Sequence, residues 1–232
     1  IHGPSQFMLN LLANGQYEIF VLLIVALILS LSFHEYGHAL VAKWFGDNTA
    51  ERAGRLTINP LAHVDPVGLA MVVIVGFGYA KPVPTDPRNY SRPSADLWVA
   101  AAGPFMNLLL AVVSWNAYLF ALANGYQSTA ADQFFSILVL INLMLMLFNM
   151  IPLGPLDGHY ILPHLLPKGL ALRYRFYNAK YGTMLFLGFS AGIPLLLIFS
   201  STSIWLREAG VARATVTFFS WAALGYSFKF VW

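Results

Sequence analysis

Long apolar runs constrain this chain more than any other feature of its sequence. A helix needs about 20 apolar residues to cross the hydrocarbon core of a bilayer. Four runs meet this requirement, and a fifth is weaker because its uncharged part is short. In chain order they are residues 19–41, 97–122, 134–153, 181–206 and 211–232. We therefore expect an all-α polytopic membrane protein, with five to six transmembrane helices around a core formed by the first three.

The composition agrees with a lipid bilayer as the surroundings of the chain. Only 10% of the 232 residues are charged and the mean hydropathy is +0.65, whereas a soluble domain carries about 25% charged residues. The net charge of +3 gives no reason to expect a nucleic acid partner, because membrane proteins gather basic residues on cytoplasmic loops. The sequence has no cysteine, which excludes disulfide bonds and thiolate metal ligands.

The distribution of basic residues predicts the orientation of the chain. Six Lys and Arg residues lie in segment 43–92 and four in segment 168–180, but none lies in 1–18 or 123–133. Because basic loops stay on the cytoplasmic side, we expect the two basic segments inside and the amino terminus outside.

The sequence predicts a small element that does not span the membrane between the first two runs. Segment 67–79 is apolar but has only 13 residues, three of them glycine, so it is typical of a re-entrant segment buried in protein. Segment 54–59, GRLTIN, favours a β-strand. The expected organisation is an N-terminal interfacial segment, a three-helix core that includes the strand and re-entrant element at 54–93, and C-terminal helices that could form a gate, with boundaries 1–16, 17–162 and 163–232.

Two histidines and a glutamate interrupt the first apolar run, in the pentapeptide HEYGH. On a helix, His34 and His38 lie on one face about 40° apart, and Glu35 lies about 100° around from His34. This is the H-E-x-x-H arrangement, in which two imidazoles bind zinc and the glutamate acts as general base. The alternative is a polar cluster that only holds helices together, but ionisable residues inside a span are costly and usually functional.

A catalytic zinc ion needs a third protein ligand and an open position for water. Most of the ten acidic residues lie in polar loops or on the outer side, whereas Asp157 ends an apolar helix at the same depth as His34. With neutral histidines, Zn²⁺ and the carboxylates of Glu35 and Asp157 sum to zero charge, which is easier to hold at membrane depth than an isolated charge. We therefore predict one Zn²⁺ per chain, held by His34, His38 and Asp157. A helix cap is the alternative role of Asp157.

Five stretches within residues 32–162 resemble the site-2 protease family of intramembrane zinc metalloproteases. They read SFHEYGHALVAKWFGD, RLTINPLAHVDPVG, GYAKPVPTDPRNY, AAGPFMNLLLA and FNMIPLGPLDGHYIL. HEYGH and PLDG are the specific pair, and the others match small prokaryotic members without a PDZ domain. The resemblance implies a zinc metalloendopeptidase of regulated intramembrane proteolysis. It would cleave transmembrane segments of other proteins near the cytoplasmic side of a prokaryotic cell membrane, with Glu35 as its catalytic residue.

The resemblance also implies two roles beside the metal ligands and Glu35. Asn149 would help to stabilise the oxyanion formed during cleavage, and ordinary interhelical hydrogen bonding is its alternative. The edge of the predicted strand would bind unwound substrate by β-augmentation. Its residues are Arg55, Leu56, Thr57, Ile58 and Asn59.

Four further polar residues are interpreted more plainly. Asn107 is expected to pack between helices, and His63 with Asp65 to form a hydrogen-bonded loop rather than a second metal site. His159 is either a partner of Asp157 or an interfacial histidine.

Two other functions remain open from the residues. A membrane metal-ion transporter would need metal ligands along a path across several helices, and the outer halves of the predicted spans hold no such set. A non-catalytic scaffold that binds transmembrane helices would be expected to lose Glu35 or a ligand, whereas this chain keeps them all.

Overall fold

The computed structural model describes residues 7–75 and 80–186. Its helices and their bounds are α1 Phe7–Ala13, α2 Tyr17–Trp44, α3 Thr49–Arg52, α4 Pro60–His63, α5 Pro66–Val75, α6 Ala95–Ala123, α7 Thr129–Asn149 and α8 Gly158–Leu165. A 3-10 turn at Pro87–Asn89 precedes α6. A ninth helix, α9, starts at residue 168 and continues to the last described residue, 186.

Three of these helices, α2, α6 and α7, are long and apolar enough to cross a membrane. Each of them packs against the other two, so they form a three-helix bundle. Small residues are buried where the helices meet, among them Ala26, Ala39, Ala42, Ala102 and Ala111. Small side chains let helix backbones approach closely, which is how helices associate in lipid. The all-α fold and the three-helix core expected from the sequence are confirmed.

The outward faces of the bundle are apolar. On α6 and α7, large hydrophobic side chains are exposed instead of packed, including Leu109, Val112, Val113, Phe120, Leu140, Met144 and Leu147. Continuous exposed apolar surface of this kind is suited to lipid and not to water. The protein is therefore an integral membrane protein.

In the segment between α2 and α6, the structure agrees with the predicted short apolar element but not with the predicted strand. The apolar helix α5 has 10 residues, which is too few to cross a bilayer, and it packs against α1. The strand predicted at 54–59 is not formed, since residues 7–75 and 80–186 contain helices, turns and extended segments but no strand. The physical reason is that local contacts take up its backbone polar groups. The N–H groups of Gly54 and Arg55 donate to carbonyls of α3, and the N–H of Asn59 donates to the hydroxyl of Thr57.

Two side-chain contacts also join this segment to neighbouring loops. Arg55 is buried and its guanidinium donates a hydrogen bond to the carbonyl of Lys81. The Nε2 atom of His63 lies 2.7 Å from the carbonyl of Thr57. Segment 54–59 therefore connects neighbouring loops through the side chains of Arg55 and His63 and does not pair with a strand.

The predicted fourth and fifth spans lie largely outside the described residues. Helix α9 includes the first residues of the run at 181–206, and the run at 211–232 is not described. The count of five to six spans and the division at residue 163 therefore stay predictions.

Candidate metal centre

Three of the predicted site residues converge at one point in the bundle. His34 and His38 extend from α2, and Asp157 immediately precedes α8. The two Nε2 atoms are 3.1 Å apart, and they lie 3.3 Å and 3.4 Å from the two carboxylate oxygens of Asp157. Tetrahedral zinc with ligand bonds of about 2.0–2.2 Å separates its ligand atoms by roughly 3.4 Å. The spacing of the three donors therefore fits a zinc ion between them.

The hydrogen bonds behind the histidines give a second test of this fit. The Nδ1 atom of His34 is 2.6 Å from the amide oxygen of Asn107, and Nδ1 of His38 is 2.7 Å from the carbonyl of Val99. Because both oxygens accept, each ring carries its proton on Nδ1 and directs an Nε2 lone pair inward. The Oδ2 atom of Asp157 is buried and, among the residues that the structure describes, accepts no hydrogen bond. Three electron-rich atoms thus face each other, and a cation between them satisfies all three.

The role of Asp157 as a plain helix cap is not supported. Asp157 occupies the N-cap position of α8, but its side chain makes no capping hydrogen bond. The next residue, Gly158, allows the chain to turn back closely on the end of α7. A Cβ atom there would lie 2.3 Å from the carbonyl oxygen of Met150. The glycine of PLDG thereby directs the carboxylate at the histidines.

A glycine of α6 also shapes the centre, although only a weak feature of the sequence indicates it. A Cβ atom on Gly103 would lie 2.3 Å from Nε2 of His38 and 2.7 Å from Nε2 of His34. Only a residue without a side chain leaves this space for the imidazoles and a metal ion. The signal was a Gly-Pro pair in mid-helix, where glycine lowers helix stability and therefore needs another explanation.

Glu35 lies beside the metal-binding group but is not part of it. Its Oε2 atom accepts a hydrogen bond of 2.8 Å from the backbone N–H of Val83. Both residues line a partly open cavity of about 360 Å³ together with the three metal-binding residues and Asn149. The cavity is also lined by Pro82, Thr85, Pro87, Tyr90, Asp96, Val99, Ala100, Pro155 and Tyr160. Water can therefore reach a carboxylate next to the metal centre.

The loop that contacts Glu35, residues 81–86, is anchored at both ends. At one end the backbone of Lys81 accepts from Arg55 and donates to the carbonyl of His63 over 2.9 Å. At the other end the N–H of Asp86 donates to Asp47 over 2.7 Å. The structure does not place residues 55–59 among the cavity lining, so their predicted contact with substrate stays a prediction.

Asp47 is the buried anchor of that loop. It is fully buried and also accepts hydrogen bonds of 3.0 Å from the N–H of Thr49 and 3.0 Å from the amide of Asn89. Burial by itself raises the pKa of Asp47, but the hydrogen bonds from Thr49, Asp86 and Asn89 outweigh it and hold that pKa below its usual range. The carboxylate is therefore ionised and fixes the loop to the end of α2.

The contacts of the remaining polar residues agree with their predicted roles in some cases and add to them in others. His63 and Asp65 form the expected loop network, with Asp65 accepting from the N–H groups of Val67 and Gly68 at 2.9 Å. His159 contacts Asn178 at 2.6 Å and is therefore bonded to α9. Asn107 does join helices as expected, and in addition it contacts a metal-binding histidine, which its position in the sequence did not indicate.

The fold and the candidate metal centre together indicate which kind of protein this is. A polytopic helical membrane protein holds an H-E-x-x-H motif and a third carboxylate at a water-accessible cavity within its bundle. That combination is the architecture of a membrane-embedded zinc metalloprotease.

Comparison with known proteins assigns the family. The model for "Peptidase family M50" matches residues 22–126. "Putative zinc metalloprotease YwhC" of Bacillus subtilis is 43% identical over 172 residues, which cover 71% of this chain and 78% of that protein. "Putative zinc metalloprotease Rip2" of Mycolicibacterium smegmatis is 33% identical over 159 residues, which cover 65% of this chain and 60% of that protein.

Among solved structures, a site-2 protease from Methanocaldococcus jannaschii matches with 24% identity and a TM-score of 0.42, over 90% of this chain and 77% of that one. The chain belongs to peptidase family M50. The resemblance to site-2 proteases drawn from the sequence is confirmed at the level of this family.

Proposed function

We propose that this protein cleaves transmembrane segments of other membrane proteins within the bilayer, as in regulated intramembrane proteolysis. The observation that carries the proposal is the position of Glu35, whose carboxylate lines the same cavity as the metal-binding group of His34, His38 and Asp157. The family and the zinc-metalloprotease names of its relatives support the same chemistry.

Each residue of the centre has a proposed part in hydrolysis. Zn²⁺, when bound by His34, His38 and Asp157, lowers the pKa of coordinated water toward about 7. Glu35 takes the proton from the attacking water and passes it to the leaving amine. The N–H of Val83, which donates to Oε2, keeps this carboxylate in place. Asn149 donates one amide hydrogen to the carbonyl of Leu145 over 3.0 Å, and its second hydrogen stabilises the oxyanion.

The substrate must unwind locally before it can be cut. A transmembrane helix holds its carbonyl groups in internal hydrogen bonds, so an intact helix offers no free peptide carbonyl. Pro82, Val83 and Thr85, in a segment without regular secondary structure, line the cavity, and we place the unwound segment along them. Residues 55–59 support that loop through Arg55.

The proposed orientation puts cleavage toward the cytoplasmic side of a prokaryotic cell membrane. His34 lies 17 residues from the start of α2 and 10 from its end, so at about 1.5 Å per residue it is nearer to the basic segment that follows α2. The positive-inside rule assigns that basic segment to the cytoplasm and the amino terminus to the outside.

A paired cleavage and metal experiment tests the function. Purified wild type and Glu35→Gln are reconstituted in lipid with a transmembrane reporter, and zinc content is measured on the same samples. We expect Glu35→Gln to keep its zinc and to lose about 10²–10⁴-fold in cleavage rate. Glu18→Gln, an exposed change on the same helix, is the matched control and should cleave normally. Equal cleavage by wild type and Glu35→Gln would refute the proposal.

A further inference from the structure

A buried polar cluster joins the three long helices behind the metal centre. Ser30 of α2, Asn107 of α6 and Asn142 of α7 are all fully buried, and none of them lines the cavity. Polar groups at such depth must satisfy one another because lipid offers no hydrogen bonds. We call these three residues the amide relay.

The direction of the hydrogen bonds in the relay is fixed at its far end by backbone carbonyls. The hydroxyl of Ser30 donates to the carbonyl of Ala26 over 2.7 Å, so it can only accept from its other neighbour. The Nδ2 atom of Asn142 lies 2.8 Å from that hydroxyl and 2.8 Å from the carbonyl of Leu138. Both contacts of Nδ2 are acceptors, and the amide oxygen of Asn142 must therefore face Asn107.

The same reasoning fixes the amide of Asn107. Its Nδ2 atom lies 2.8 Å from the amide oxygen of Asn142 and 3.1 Å from the carbonyl of Ser30. Because both of these atoms only accept, the oxygen of Asn107 must face Nδ1 of His34, at 2.6 Å. His34 then has to carry its proton on Nδ1, which leaves the Nε2 lone pair pointing at the metal position.

We propose that Asn107 and Asn142 are positioning residues that select the tautomer of His34. Backbone carbonyls of the helices orient their amide groups, and the oriented amide of Asn107 keeps the proton of His34 on Nδ1. With the proton on Nε2 instead, the Nδ1 lone pair would face the oxygen of Asn107 at 2.6 Å and repel it. The relay thus excludes the tautomer that cannot bind metal through Nε2. The inference rests on the metal centre and not on proteolysis, so its test requires no substrate.

Zinc affinity gives the first readout. Purified chains are titrated with zinc against a chromophoric chelator, and wild type is compared with Asn107→Leu and Asn142→Leu. We expect Asn107→Leu to bind zinc about 10–100-fold more weakly, as for loss of other partners behind metal-binding histidines, and Asn142→Leu to show a smaller loss. Asn116→Leu is the matched control. Asn116 also lies on α6, but it is exposed and its amide donates to the carbonyl of Val112 in its own helix. The zinc affinity of Asn116→Leu should therefore equal that of wild type.

The tautomer of His34 can be measured directly. It should not change if the two asparagines only hold the helices together. In ¹⁵N-histidine-labelled, zinc-free protein, the nitrogen shifts of His34 should show Nδ1–H in wild type and a mixture of tautomers in Asn142→Leu. His38 is an internal reference, because its Nδ1 bonds to the carbonyl of Val99 and not to the relay. An unchanged His34 tautomer together with wild-type zinc affinity in Asn142→Leu overturns the proposal.

A conservative variant separates positioning from packing and covers a leucine variant that does not fold. Asn107→Asp keeps an oxygen that accepts from His34, and we expect its zinc affinity to stay within about tenfold of wild type. If Asn107 only holds helices together, a buried carboxylate should be at least as harmful as leucine. An Asn107→Asp protein that folds but binds zinc no better than Asn107→Leu, or tenfold more weakly than Asn142→Leu, also overturns the proposal.

Discussion

Among single residues, Asp157 is the one whose role as a zinc ligand can be tested most specifically. Its buried Oδ2 atom accepts no hydrogen bond from residues 7–75 and 80–186, and its side chain does not cap α8, so its removal should affect the metal and little else. We expect Asp157→Ala to lose at least about 100-fold in zinc affinity, because two histidines remain where a stable site needs three protein ligands. Elemental analysis of purified protein measures the zinc. Asp96→Ala, which removes another acid from the same cavity, should keep its zinc, and full zinc in Asp157→Ala would remove Asp157 from the ligand set.

A substitution at Gly103 would show whether the imidazoles of His34 and His38 need the space beside this glycine. In Gly103→Ala the new methyl group would lie within 3 Å of both metal-facing nitrogens, so either the histidines rotate or α6 moves away from α2. We expect zinc binding to fall at least about tenfold and the melting temperature to fall as well. Gly169→Ala on α9 is the control, since its Cβ would contact nothing within 4 Å in the described part of the chain, and in a helix alanine is slightly favoured over glycine. Normal zinc binding by Gly103→Ala would show that the centre tolerates the extra volume.

The sequence predicted the residues of the centre unequally, and the reason is geometric. The positions of His34, Glu35 and His38 follow from helix periodicity alone, and Asp157 follows from depth and the elimination of other acids. Asn107, Gly103 and Val83 act through contacts across 48 or more positions of the chain. No local pattern encodes such contacts, and an asparagine within a span gives the same signal whether it packs or orients a ligand.

At the scale of the element, the loop at 81–86 depends on the charge of Asp47. The folded pKa of Asp47 lies below its usual range, so its hydrogen bonds contribute full stability above about pH 4, the ordinary pKa of Asp. This contribution is lost as the pH falls through the lower folded value, where the carboxylate takes up a proton. We expect the melting temperature of wild type in detergent to drop as the pH falls below about 4.

The comparison with Asp47→Asn isolates this contribution. The amide cannot accept from Thr49, Asp86 and Asn89 at once, so the variant should be less stable at pH 7 by about 2 kcal/mol, a typical cost for bonds to a charged group. Its melting temperature should also depend less on pH in the acidic range. Glu18→Gln, at an exposed site, should keep the wild-type profile. An Asp47→Asn protein with that same profile would contradict the assigned role of the carboxylate.

The same region shows why the strand at 54–59 was predicted wrongly. The alternation and β-branched residues of GRLTIN favour extended backbone, and the backbone there is indeed largely not helical. Regular strand structure also needs a partner ladder. Here the N–H groups of Gly54 and Arg55 bond back to carbonyls of α3, and the side chain of His63 bonds to the carbonyl of Thr57. Sequence propensity reports local backbone preference, but the choice of hydrogen-bond partner is a tertiary property.

At the scale of the whole molecule, the metal centre connects parts of the chain that lipid alone would not hold in register. His34 and His38 belong to α2, and Asp157 belongs to the turn between α7 and α8, 119 positions beyond His38. The three-helix bundle could be predicted because a bilayer requires long apolar helices and permits few other structures. The register between the helices could not be predicted, because small residues and buried amides set it through contacts between distant segments.

Zinc held by His34, His38 and Asp157 would bridge α2 and the α7–α8 turn, so its removal should loosen the whole bundle. A ligand that binds only the folded state stabilises it by about 2.7 kcal/mol at a free concentration 100 times its Kd. We therefore expect a chelator to lower the melting temperature of wild type in detergent, and added Zn²⁺ to restore it. Mg²⁺ should not restore it, because that ion prefers octahedral oxygen ligands to imidazoles. Asp157→Ala should show no chelator effect, and a chelator shift as large in that variant as in wild type would place the stabilising metal elsewhere in the protein.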